Sequence, residues 1–402
     1  MTASGSRNRI DPLDRTSILS DPMVHRLALL LAVLAVLAPP ASAAERRVPQ
    51  GWLGVTVDGP VSPYKPGEWD RMARTGVETV RVELRWNDIQ PYSREQVPPE
   101  ERERFHDLDG VPTDFSRFDA IVAAASGRRI AVLPVVHLAP SWLTLNPHDP
   151  ASPPSDPASL GRFFSQLVRR YGPDGSLWQE RPQLPRVPIR TWQVWNEPNL
   201  AGYWAEQPFA PSYVAALRAA AGSVRAADPG ATIVLAGLPG KSWVALRKVY
   251  DAGGRGLFDA VAVHPYTRRP RNVLRIIRYV RRAMRANGDG SLPIWVTELS
   301  WPASRRNASD PIGIGVTELG QAARLHAALR ILAAARERLG IGRVLWYTWL
   351  SKEDGDSVFD WSGLRRVRDG RRVAAPAMRV FRRWARKLEG CRKAPGDAAR
   401  CA

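Results

Sequence analysis

From residue 52 onward the chain repeats one hydrophobic rhythm. Short apolar runs rich in Val, Ile and Trp alternate with longer stretches in which apolar residues recur every three or four positions. The runs, read as strands, are Trp52–Val57, Thr79–Arg85, Ile130–His137, Trp192–Asn196, Thr232–Gly237, Phe258–His264, Ile294–Glu298 and Arg343–Trp349. The intervening patterns predict helices over Gly67–Thr75, Asp114–Ser126, Ser159–Tyr171, Pro211–Ala226, Lys241–Asp251, Asn272–Asn287 and Glu318–Leu339, with a closing helix at Ala374–Leu388. Short apolar strands separated by helices imply a parallel sheet covered on both faces. Eight repeats in about 340 residues predict an α/β chain of the (β/α)8 TIM-barrel type, in a single domain. An open doubly wound sheet would need a Gly-rich turn after the first strand, and Val57-Asp-Gly-Pro-Val-Ser-Pro63 supplies none. The polar loop 91–113 is expected to shape one side of any cleft.

Residues 23–44 break the rhythm. Arg26 precedes an apolar run, Leu27 to Ala38, too short to cross a bilayer comfortably. Ala41-Ser42-Ala43 then fits the small-x-small pattern of a cleavage site. This predicts a signal peptide, or an uncleaved anchor, within residues 1–44, with Met23 as a candidate start. A barrel over 45–390 and a tail over 391–402 follow, and the folded part is secreted or extracytoplasmic. Membrane contact is expected only if the leader stays attached. Cys391 and Cys401 in the tail are expected to pair in such a protein. Two thiols without neighbouring His or acid complete no zinc site.

Composition changes the picture in one respect. Hydrophobic content of 44% and charged content of 24% suit a folded soluble protein, but the formal net charge is +19. Such a balance raises nucleic acid, an anionic surface or an acidic polymer as partners. The basic residues are spread along the whole chain without a nucleic-acid-binding motif, so nucleic acid is not expected. An anionic or wall-associated polymer stays open as a substrate class. Arg275, Arg278, Arg282 and Arg285 recur at helical spacing and read as a solvated outer face. Several of the 15 Trp fall near strand ends (Trp86, Trp142, Trp195, Trp204, Trp301, Trp346, Trp349), where an indole serves either a sugar face or the core.

The chemistry lies where two runs stop. Thr191-Trp-Gln-Val-Trp-Asn-Glu-Pro-Asn199 delivers Glu197, and Ile294-Trp-Val-Thr-Glu-Leu-Ser-Trp301 delivers Glu298. Pro198 and Pro302 end the ladders, so both acids stand at the C-terminal ends of strands, the catalytic end of a parallel barrel. About a hundred residues, or three βα units, separate them, which sets them on facing walls of one mouth. Two such carboxylates are the minimum for cleaving a glycosidic bond. No His-Glu-x-x-His or Gly-x-Ser-x-Gly occurs, and the six His do not cluster at metal spacing. No metal or cofactor is expected. Gly313–Gly320 has the wrong spacing for a dinucleotide fingerprint.

Trp195-Asn-Glu-Pro-Asn199 resembles the strand-four signature of the clan A glycoside hydrolases, and Val296-Thr-Glu-Leu-Ser-Trp301 resembles that clan's strand-seven nucleophile segment. From Trp52 to about Arg386 the pattern is most similar to family 39 and its bacterial exopolysaccharide-hydrolase relatives, with family 5 cellulases second. The resemblance implies a retaining glycosidase acting on a polysaccharide or oligosaccharide, with Glu197 as acid/base and Glu298 as nucleophile. It implies that Arg81 holds the nucleophile, with Arg85 on the same strand face as competitor. His137 would line the sugar subsite, or be a structural histidine. Asn196 would contact the sugar's 2-hydroxyl, His264 would stand near the acid/base and Tyr266 would bond the nucleophile. Trp349, or else Trp346, would floor the subsite. The molecule is expected to be a monomer. Two other readings share these residues: a transglycosylase in cell-surface polymer assembly and an inactive polysaccharide-binding barrel.

Overall fold

The structure, a computed structural model, describes residues 46–57, 66–305, 308–353 and 355–390. The chain divides into two units, 1–43 and 44–402, and every described residue belongs to the second. The expected leader and the Cys391–Cys401 pair lie outside the described residues. Among the described residues no helix is long and apolar enough to cross a membrane.

The predicted rhythm is present with shifted boundaries. Its first half is β1 (Leu53–Val57), α1 (Pro66–Thr75), β2 (Thr79–Arg85), α2 (Ser116–Ser126), β3 (Ala131–His137), α3 (Pro157–Tyr171) and β4 (Thr191–Val194). Its second half is α4 (Ala210–Ala227), β5 in two pieces (Thr232–Val234 and Leu238–Pro239), α5 (Ser242–Asp251), β6 (Val261–His264), α6 (Pro270–Ala286), β7 (Ile294–Val296), α7 (Glu318–Leu339), β8 (Ile341–Tyr347) and α8 (Pro376–Glu389). All pairings in the main sheet are parallel. The sheet runs from the first piece of β5 through β4, β3, β2, β1, β8, β7 and β6 to the second piece of β5. Val234 also bridges Ala260, just ahead of β6, and the Leu235 N–H donates to the Ala260 carbonyl. The sheet therefore curls into an α/β barrel.

Two apolar cores result from the strand alternation. The outer one fills the space between strands and helices and takes in Val80, Val82 and Leu84 of β2. The inner one plugs the barrel floor with Leu133, Val234, Ala260, Ala262, Trp295 and Leu345. The Arg343 guanidinium lies 4.4 Å from the Trp295 ring centre. Above that plug the lumen turns polar, because the next inward positions along the strands are Arg81, Gln193 and His264.

Two pieces of the fold were absent from the rhythm. Within the 91–113 stretch, His106–Leu108 and Val111–Thr113 form a small antiparallel hairpin. After β8, Leu350–Ser351, Arg365–Arg368 and Arg371–Ala374 form a three-stranded sheet. Its second and third strands are rich in Arg, so hydropathy hides them; Asp369 and Gly370, both at positive φ, supply the tight turn between them. Arg365 pairs with Glu68 at 2.9 Å, and Arg366 with Glu318 and Glu353.

Candidate active site

Glu197 and Glu298 do meet at the C-terminal mouth of the barrel. β4 stops at Val194 and β7 at Val296, so each glutamate sits two or three residues past a strand end. A regular strand would send Asn196 and Glu197 to opposite faces. Trp195 (φ 70°) and Glu197 (φ 44°) instead adopt left-handed backbone, and both Asn196 and Glu197 face one cavity. Such conformations disfavour an L side chain, and they persist where surrounding structure over-determines them. Trp195 is fully buried, donates to the Tyr203 carbonyl at 2.7 Å and packs edge-on against Trp204. Trp204 in turn packs on Tyr213, whose hydroxyl donates to the Val194 carbonyl at 3.0 Å.

Arg81 ties the site together from β2. Its Nη1 donates to Glu298 Oε1 at 2.6 Å, Nη2 to Asn196 Oδ1 at 2.7 Å and Nε to Gln193 Oε1 at 2.6 Å. Tyr266 donates to the other Glu298 oxygen, Oε2, at 2.8 Å. Burial and the Glu298 charge push the Tyr266 hydroxyl well above its ordinary pKa, so it stays a donor at neutral pH. Arg85 is half exposed and faces Asp88 at 3.8 Å, which decides between the two candidate arginines in favour of Arg81.

His264, fully buried, sits between the two acids. Its Nδ1 is 2.6 Å from Glu197 Oε1 and 3.6 Å from Glu298 Oε2, while Nε2 meets Thr297 Oγ1 at 3.0 Å. The ring fits only because residue 237 is glycine: a Cβ there would lie 2.0 Å from His264 Nε2. The break in β5, predicted as continuous from Thr232 to Gly237, falls just before this glycine, at Leu235 and Ala236. The Gly237 carbonyl accepts the Glu197 N–H at 3.2 Å, and Tyr213 bonds the Ala236 N–H. One ligand atom each from Glu197, His264 and Glu298 lies within 4.8 Å of the others, a metal-sized cluster. Arg81 and Tyr266 already engage both Glu298 oxygens, so the cluster reads as a hydrogen-bonded unit.

The enclosed space is a cavity of about 230 Å³. Besides the residues above, its wall includes Thr56, Glu83, Tyr203, Tyr347 and Phe359. A second cavity of about 540 Å³ shares Glu83 and is walled partly by Pro91, Tyr92, Glu101 and Arg104 of the 91–113 stretch.

The expectations for Trp349 and Trp346 need correction, and His137 takes the second of its two expected places. Trp349 does not floor the cavity: it is fully buried in the outer core and donates to Glu68 of α1 at 2.9 Å. Trp346 also faces outward, donating to the Ser362 carbonyl. Alternation along β8 gives the reason for Trp346, since Leu345 points into the inner core, Trp346 outward and Tyr347 into the cavity; Trp349 lies past the end of the strand at Tyr347, where that alternation no longer holds. His137, 2% exposed, stands behind the wall rather than in it, with Nε2 3.3 Å from Glu83 Oε1. Of the strand-end tryptophans, Trp86, Trp195, Trp204, Trp301, Trp346 and Trp349 are all core residues, and only Trp142 is partly exposed. Glu83 was legible in the sequence, because it shares the face of Arg81 two residues on. Tyr203 sits on a loop and Phe359 in a short 3-10 helix, Val358–Trp361, where no periodicity points.

No family model matches the chain, and no curated protein does. Solved structures do. The fold is similar to that of a family 39 glycoside hydrolase from the gut symbiont Bacteroides cellulosilyticus (20% identity, TM-score 0.59, covering 85% of this chain and 64% of that one). It is similar to a monomeric beta-xylosidase from Caulobacter crescentus (17% identity, TM-score 0.57, covering 85% and 69%). It is also similar to a GH39 enzyme from Xanthomonas axonopodis pv. citri (19% identity, TM-score 0.56, covering 85% and 67%). The chain thus spans about two thirds of the length of these neighbours, and at such identities the likeness is one of fold.

Proposed function

We propose that this protein is an exported, retaining glycoside hydrolase in which Glu298 is the nucleophile and Glu197 the acid/base. Counting the two pieces of β5 as one strand, the scaffold is a single-domain (β/α)8 barrel. The observation that carries the reading is the approach of the Glu197 and Glu298 carboxylate oxygens to within 4.8 Å across a sugar-sized space. Retaining enzymes need carboxyl groups about 5–5.5 Å apart, whereas inverting ones leave about 6.5–9.5 Å for a water.

The surrounding bonds support a division of labour. Arg81 and Tyr266 donate to both Glu298 oxygens, which favours the carboxylate and aims it at the anomeric carbon. The C1–O bond to the leaving group breaks as Glu298 forms a glycosyl ester. Glu197 gives its proton to the departing oxygen, then takes one from the water that hydrolyses the ester. His264 holds Glu197 in place through both steps, and Asn196, fixed by Arg81, reaches the ring hydroxyl. The leader within residues 1–44 and the Cys391–Cys401 pair belong to the exported reading. A polysaccharide or oligosaccharide is the substrate.

Release of reducing sugar from a polysaccharide panel, followed by NMR of the first anomer formed, tests this. The expected result is a product of unchanged anomeric configuration and a loss of about 10⁴-fold or more in Glu298→Ala. Inversion, or full activity in that variant, refutes the assignment.

A further inference from the structure

The protein as a whole carries 58 Lys and Arg against 39 Asp and Glu, yet the cavity at its centre has the opposite sign. The charged groups in its wall are Arg81 on one side and Glu83, Glu197, Glu298 and Asp360 on the other. With Glu197 protonated for catalysis, one cation still faces three carboxylates. Every nitrogen of Arg81 is already committed, to Gln193, Glu298 and Asn196. The adjoining cavity is no more welcoming to an anion, since Arg85, Arg104 and Arg117 there are matched by four carboxylates.

Asp360 is taken up locally, accepting the Ser357 N–H at 3.2 Å, which leaves Glu83 as the unassigned member of this set. β2 turns it to the same side as Arg81, one step nearer the mouth. Its side chain is 37% exposed, while His137 behind it is only 2% exposed and touches its Oε1 at 3.3 Å. His137 is itself pinned edge-on against Trp195. Burial alone would raise the Glu83 carboxyl, but His137, Arg81 and Arg85 outweigh burial and hold it below its ordinary value. The result is a fixed acceptor of hydroxyl protons at the cavity surface. The rest of the wall suits the same guest: Tyr203, Tyr347 and Phe359 offer flat apolar faces, and Thr56 and Asn196 offer neutral polar groups.

Resting on the glycosidase reading, we propose that the cavity admits an uncharged glycosyl unit, whose hydroxyls Glu83 accepts, and rejects units bearing carboxylate, sulfate or phosphate. An ionised carboxylate makes strong charge-assisted bonds to hydroxyl donors. The same carboxylate repels an acidic sugar that finds, among the described wall residues, no cation but the engaged Arg81, so selectivity comes from the unpaired charge as well as from the favourable bonds. His137 is a positioning residue here, acting through Glu83. The overall positive charge is therefore no guide to the substrate, and the acidic-polymer class raised by composition is excluded at this subsite.

Matched nitrophenyl glycosides test the idea: β-glucoside against β-glucuronide, and β-galactoside against β-galacturonide. The expected kcat/KM favours the neutral member of whichever pair is cleaved by about 100-fold or more, the discrimination typical of a site that leaves a charge unpaired. Glu83→Gln keeps the shape and removes the charge. It should raise KM for the neutral substrate about tenfold with kcat little changed, and shrink the neutral-to-acidic ratio at least as much. A glucuronide cleaved as fast as its glucoside overturns the inference while leaving the glycosidase reading intact. So does a Glu83→Gln variant that only melts earlier and scales both substrates alike. If neither these glycosides nor any member of the polysaccharide panel is hydrolysed, the glycosidase reading fails, and calorimetric titration with neutral and acidic oligosaccharides decides this one. Binding of neutral oligosaccharides alone supports it; binding of acidic ones, or of none, overturns it.

Discussion

The mouth of the barrel and its outer helical wall are both charged, and they use charge in opposite ways. At the mouth one buried arginine serves three partners, and carboxylates outnumber it. On the outside, α6 exposes Arg271, Arg275, Arg278, Arg282 and Arg285 and contains no acid at all. α8 likewise exposes Arg379, Arg382, Arg383 and Lys387. A guanidinium in water costs little and gains little, whereas one taken out of water must be matched bond for bond. Arg281 shows the contrast within a single helix. Among the arginines of α6 it alone is buried, and it donates to the Gly290, Leu292 and Leu339 carbonyls, the last at the C-terminal end of α7. Net charge is thus a property of the shell, and the chemistry is a property of the lumen.

Substitutions at the two regions should differ accordingly. Arg81→Met leaves Glu298 and Asn196 without their donor, and breaking one side of a buried ion pair costs about 3–5 kcal/mol. Thermal unfolding should show that loss, and kcat should fall by about 10²–10³-fold, as for removal of a preorganised donor. An unchanged melting point with kcat within tenfold would erase the distinction between mouth and wall. Next comes Gly237→Ala, whose Cβ would strike His264 Nε2 and push the ring off Glu197. The expected kcat loss is about 10–100-fold, the usual consequence of disturbing general acid–base geometry. If His264 did not set the position of Glu197, the variant would lose stability alone. The smallest effect belongs to the outer wall: the triple change of Arg275, Arg278 and Arg282 to Gln should alter stability by no more than about 0.5 kcal/mol per site. Its kcat/KM on a neutral substrate should match the parent; a large loss would tie the basic face to turnover.

The alternation of apolar runs with helical patterns determined the architecture, because periods of two and of about 3.6 are written into any strand or amphipathic helix. It also put Glu197 and Glu298 at strand ends, and the parity of β2 put Glu83 beside Arg81. The same parity rule, applied to β8, would have turned Trp346 outward and Tyr347 inward. Fold-level likeness pointed to an indole instead, and Trp349 turned out to be a core residue bonded to Glu68.

Tertiary structure alone decided the rest. The left-handed backbone at Trp195 and Glu197, which turns two successive side chains into one cavity, is enforced by partners on other elements. The gap at Gly237 has meaning only once β6 brings His264 against it. Phe359 and Asp360 reach the cavity from a single short 3-10 turn, Val358–Trp361, too brief to show a period. Periodicity records which face a residue takes; which residues share a space, and with what net charge, depends on contacts between segments far apart in the chain.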